Sequence, residues 1–94
     1  MRLIVRVMGE GQYEVSSNLL DQLNESDMQL VLAVADNDHE KFRELYLAML
    51  NMLRTSSKNL STEALRPSDV ILPAADIDFA DAKSLFVGEG LLPG

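Results

Sequence analysis

A chain of 94 residues with 47% hydrophobic side chains makes one domain with a single modest core and is too apolar to be disordered. Its formal net charge of -7, from 15 acids against 8 bases, argues against nucleic acid and against direct docking on an anionic membrane, since both need clustered Lys and Arg. Without Cys there is neither a disulfide framework nor thiol catalysis, and a reducing cytoplasm is the expected location.

Residues 2–15 read as strand, turn and strand. Residues 2–8 are rich in β-branched side chains, Gly9-Glu10-Gly11 is a turn signal, and Gln12-Tyr13-Glu14-Val15 resumes the alternation. A loop of those three residues sets Met8 opposite Gln12, Val7 opposite Tyr13, Arg6 opposite Glu14 and Val5 opposite Val15. Val5, Val7, Tyr13 and Val15 then share one face, with an Arg6–Glu14 pair on the other. The opening reads as a strand and not as a signal peptide.

Ser16 and Ser17 offer N-cap hydroxyls to a short helix over 18–24, with Leu19, Leu20 and Leu23 at helical spacing. Ser26-Asp27-Met28-Gln29 has the form of a capping box, so a second helix is expected over 27–35; one bent helix across both is the alternative. Met28, Leu30, Val31, Val34 and Ala35 form its apolar surface. Asp38 is the expected N-cap of a helix running from His39 to about Arg54, with Phe42, Leu45, Tyr46, Met49, Leu50 and Leu53 as its stripe. Leu47 and Met52 widen that stripe, which implies contact on two sides. The short link between these helices predicts an antiparallel helical hairpin.

Residues 55–61 read as a polar loop, and 61–65 as one helical turn. Val70-Ile71-Leu72, flanked by prolines, reads as an edge strand added to the hairpin. Asp78 is the expected cap of a last helix over 79–87, with Phe79, Ala82, Leu85 and Phe86 on one face and Gly88 as its C′ residue. The tail, residues 90–94, carries Leu91 and Leu92, which need cover. The longest apolar runs, 30–35 and 45–50, are far short of a membrane span. The predicted architecture is α+β, one domain over 1–94. An N-terminal β-hairpin and a short third strand pack on a small helical layer containing the helical hairpin.

No catalytic constellation emerges. Gly9-Glu10-Gly11 lacks the third glycine and the following helix of a phosphate loop, and so reads as a hairpin turn. Asp36, Asp38 and Glu40 alternate like the start of a calcium loop without its central glycine or terminal Glu, and read as a cap cluster. His39, the only His, has neither a Cys nor a G-x-S-x-G partner. No catalytic, metal-binding or cofactor-binding residue is assigned, and no cofactor is expected.

Three blocks carry a family resemblance: Arg6-Val7-Met8-Gly9-Glu10-Gly11-Gln12-Tyr13, Pro67-Ser68-Asp69-Val70-Ile71-Leu72-Pro73 and Gly88-Glu89-Gly90-Leu91-Leu92-Pro93-Gly94. Together they resemble the phage shock protein A-associated domain, and the resemblance spans the chain. It implies a non-enzymatic partner of phage shock protein A, a coiled-coil relative of membrane-remodelling filament formers that acts in envelope stress. Such a protein would be cytoplasmic and would reach the inner membrane only through that partner. Its acidic surface would meet basic helix faces, with exposed Leu or Met as the apolar centre. The candidate contacts are Glu10, Tyr13, Leu91 and Leu92; core packing is the competing reading for the last three. Two other readings stand beside this one. One is a module that senses a small ligand between hairpin and helices. The other is a homo-oligomer joined through the edge of residues 2–8 or the wide stripe of the third helix.

Overall fold

The strand Arg2–Val7 (β1) runs through the middle of a sheet, because its side chains alternate and both of its edges are paired. The computed structural model describes residues 2–60 and 67–86. Among them β1 is followed by β2 (Gly11–Ser16), α1 (Ser17–Ala35), α2 (His39–Ser56), β3 (Lys58–Leu60), β4 (Val70–Leu72) and α3 (Phe79–Leu85). The four strands lie in the order β3-β2-β1-β4, with β1–β2 and β2–β3 antiparallel and β1–β4 parallel. The α+β architecture expected from the sequence is the one observed, with the helices on one face of the sheet.

Leu3, Val5, Val7, Tyr13, Val15, Val70 and Leu72 point to the helices and are buried, so the apolar face of the hairpin is the expected one. The register is not. Val5 pairs with Tyr13, Val7 with Gly11, and Arg6 with Gln12 in place of Glu14. The whole ladder is displaced by two residues, which preserves the faces because strand side chains repeat every two. The turn explains the displacement. Glu10 N–H donates to Val7 O at 3.0 Å, closing a turn on Met8 and Gly9. Gly9 sits at φ +84°, where a turn of this kind requires glycine, and Gly11 opens the second strand.

β4 docks beside β1 through Asp69, whose carboxylate accepts from Ile4 N–H at 2.8 Å while its own N–H donates to Ile4 O at 2.8 Å. The segment thus takes the expected edge position and pairs Val5–Val7 on the side of β1 away from β2. β3 was expected to be loop. Lys58, Asn59 and Leu60 pair with Glu14, Tyr13 and Gln12 instead, so the sheet gains a strand on its other edge. On the face away from the helices Ile4, Gln12, Glu14 and Leu60 are buried too, and Gln12 Nε2 donates to Ser68 Oγ at 2.8 Å.

α1 is one helix, not two. Ser16 caps it, accepting from Leu19 N–H. Leu20, Leu23, Asp27, Leu30 and Val34 repeat at steps of three and four, so the inward stripe passes straight through the expected break. All but Asp27 are apolar, and Asp27 is itself buried. Met28 and Ala35, expected on the apolar surface, face solvent instead. The helix ends in a Schellman motif: Asp38 N–H donates to Ala33 O, Asn37 N–H donates to Val34 O, and Asn37 takes the left-handed conformation at φ 57°. Asp38 then caps α2, its Oδ1 accepting from Lys41 N–H at 3.0 Å. One residue closes the first helix and opens the second, which is how the hairpin reverses within three residues.

The α2 stripe is as expected: Phe42, Tyr46, Met49, Leu50 and Leu53 are buried and Leu45 half-buried. Phe86 lies edge-on to both Phe42 and Tyr46, at centroid distances of 5.5 and 5.7 Å, and seats the end of α3 on α2. Tyr46 Oη donates to Pro73 O, and Arg43 Nη1 donates to Ala75 O at 3.1 Å, so α2 also holds the β4–α3 link. Asp78 stands at the N-cap of α3 without a side-chain cap bond, and Leu85 faces solvent, unlike its expected place beside Phe79, Ala82 and Phe86. The expected turn over 61–65, the C′ role of Gly88 and the tail over 90–94 lie outside the described residues.

Burial ranks the expected cost of truncation. Leu50→Ala, at 0% exposure, is expected to cost about 2–5 kcal/mol, and Leu32→Ala, at 62%, less than about 0.5 kcal/mol. Tyr46→Phe strands the Pro73 carbonyl and is expected to cost about 1–2 kcal/mol. Denaturant midpoints, with unchanged m values, check all three.

Candidate functional site

The hairpin turn reaches the C-terminal end of α2 through one carboxylate. Glu10 is carried there by the turn on Gly9, and Arg54 by the last turn of α2, where a cation also complements the helix dipole. Arg54 Nε donates to Glu10 Oε1 at 2.8 Å and Nη2 to Oε2 at 2.6 Å, a two-pronged pair. Tyr13 Oη donates to the same Oε1 at 3.2 Å. Three residues from three elements therefore share one charge.

This geometry sets the titration. The hydrogen bonds from Arg54 hold the Glu10 carboxyl below its ordinary 4.5, against a smaller opposing effect of burial, and the Tyr13 bond acts in the same direction as Arg54. Burial, then the bond to Glu10, pushes the Tyr13 hydroxyl above its ordinary 10. At neutral pH the cluster is a carboxylate held by two donors. Such an arrangement fastens a turn to a helix; it has no nucleophile beside a base.

Of the residues singled out in the sequence, Glu10 and Tyr13 are brought together, and Leu91 and Leu92 lie outside the described residues. Tyr13 has its ring in the core, at 4% exposure, and presents only its hydroxyl to the cluster. Arg54 completes the group. In the sequence it stands only as the approximate end of a helix, because nothing local links it to a residue 44 positions earlier. His39 stacks on Phe79 at 3.8 Å between ring centroids. Asp38 is occupied as a helix cap, and among the described residues no group of three or more His, Cys, Asp or Glu is arranged to hold a metal.

Among the described residues, two open clefts stand out. One, of about 310 Å³, is polar and lies where β2 and β3 meet the end of α2, between Glu14, Ser16 and Lys58. The other, of about 240 Å³, lies between α1 and α2, with Leu32, Ala33 and Leu45 as its apolar floor and wall. Exposed apolar side chains also stand at Met8 and Ile71 near one edge of the sheet. The space between hairpin and helices, where a sensed ligand was envisaged, is occupied by Val5, Val7, Val15, Leu50 and Leu53, each at 1% exposure or less. No helix among the described residues is long and apolar enough to cross a membrane.

Because the Glu10 carboxyl titrates lower in the folded protein than in the unfolded chain, its pair with Arg54 stabilises the fold fully above about pH 4.5 and ceases to do so as pH falls through the lowered value. Glu10→Gln is therefore expected to melt below the wild type at pH 7, with the gap closing under acid. Side-chain exposures of 41% for Arg54 and 22% for Glu10 leave the pair open to screening, so salt is expected to narrow the gap as well. Thermal melts of both proteins across pH and salt check this.

No curated protein and no solved structure matches the chain. A family model described as PspA-Associated protein matches residues 3–94. That match covers nearly all of the chain, and the protein belongs to the PspA-Associated protein family.

Proposed function

We propose that the protein is a non-enzymatic adaptor that binds PspA and adjusts the envelope-stress response in which PspA acts. The observation that carries this reading is family membership, since the family is described by its association with PspA. The physical character of the chain supports it. A net charge of -7 suits a basic protein surface better than nucleic acid or an anionic membrane. The cluster of Glu10, Tyr13 and Arg54 has the form of a structural clamp, not of a reaction centre. The protein would work in the cytoplasm and meet the membrane through its partner.

Purified protein and the PspA of the same genome are expected to associate with a Kd of about 10 μM or tighter at low salt, read by calorimetry or co-purification. No association at micromolar concentration and low ionic strength would overturn the reading.

A further inference from the structure

We infer that the cleft on the outer side of the α1–α2 hairpin receives a basic amphipathic helix of PspA. This rests on the PspA-binding reading above and adds to it the surface and the chemistry of the segment that meets it. The cleft lies at the loop end of the hairpin, between residues 29–36 at the end of α1 and 38–45 at the start of α2, and a third helix crossing there can set a ridge of its side chains into it. The apolar centre is present. Leu32 is 62% exposed and Met28 48%, one turn apart on the side of α1 facing away from the core, and Leu32 joins Ala33 and half-buried Leu45 in the cleft. None of the core explains why α1 carries these two large apolar side chains outward.

The charges on and beside the cleft select the occupant. Asp21, Glu25 and Met28 lie outside its lining but share the exposed face of α1 with Leu32, at steps of four, three and four, so a helix seated in the cleft and continuing along α1 meets them. Asp36 and Asp38 close the end of the cleft, and Glu44 stands on the exposed side of α2. Against these, Lys41 is the cation that lines the cleft; Arg54 is held by Glu10 and Arg43 by the Ala75 carbonyl. A second copy of this chain would bring one acidic rim against another, which is unfavourable at neutral pH. A helix with apolar residues at i, i+3, i+4 and i+7, flanked by Lys or Arg, satisfies both centre and rim.

Calorimetry with purified PspA tests the assignment on three variants, each first shown by circular dichroism to fold as the wild type. Met28→Ser/Leu32→Ser is expected to weaken binding about tenfold or more, since it removes the apolar centre. Asp21→Lys/Glu25→Lys is expected to weaken it and to flatten its dependence on salt between about 50 and about 300 mM. Ile71→Ser, at an exposed apolar residue of the sheet, is expected to bind as the wild type. If PspA binds the wild type and both α1 double variants alike, the surface is wrong and the PspA reading survives. If the wild type fails to bind PspA, both fall. If the α1 double variants leave PspA binding unchanged but turn a sedimenting dimer into a monomer, the occupant is a second copy and the proposal is overturned.

Discussion

Everything in this molecule depends on β1 being paired along both edges. Val5 and Val7, at 0% and 1% exposure, sit in the middle of the helix-facing side of the sheet, and a strand can be buried this way only when each N–H and C=O has a ladder partner. β2 supplies those partners on one side by local reversal at Gly9. On the other side they come from β4, far along the chain, steered into place by Asp69, whose carboxylate receives the Ile4 amide ahead of the regular ladder. The helical layer is the cover this apolar surface requires, and α1 and α2 both supply it.

Most of this plan was legible because it is written in short-range periodicities. Alternation identified the hairpin and its inward face, three-and-four spacing identified α2 with its Asp38 cap, and flanking prolines identified the edge position of β4. What failed did so for local physical reasons. Two glycines around Glu10 looked symmetrical, yet only Gly9 lies inside the turn; period two then hid a displacement of two residues. Ser26 and Gln29 imitate a capping box, but the inward stripe of α1 passes through Asp27 without a break, and a polar residue there looks like an interruption until its burial is seen. Lys58-Asn59-Leu60 has no strand signature, because a three-residue edge strand is specified by the ladder β2 offers it and by little in its own side chains.

The candidate residues divide along the same line. Glu10 and Tyr13 were picked out from a turn and a strand, and they do meet. The partner that binds them into a unit, Arg54, comes from another layer and is invisible to any local pattern. Met28 likewise reads as part of the apolar surface, and Leu32 is not singled out, because on paper a helix without a known neighbour has no inside. Only the placement of α2 and the sheet shows which of its faces remains to be covered.

The parallel pairing of β4 with β1 has a further consequence for how the chain acquires its shape. Ile4 and Asp69 are 65 positions apart, whereas the hairpin and the α1–α2 turn close over a few residues each. Contacts of such high sequence separation form slowly, after the entropy of closing the intervening chain has been met. During synthesis, then, the second edge of β1 stays open until the ribosome has released residue 72, and for that interval the nascent chain displays a hydrophobic strand able to pair with a neighbour.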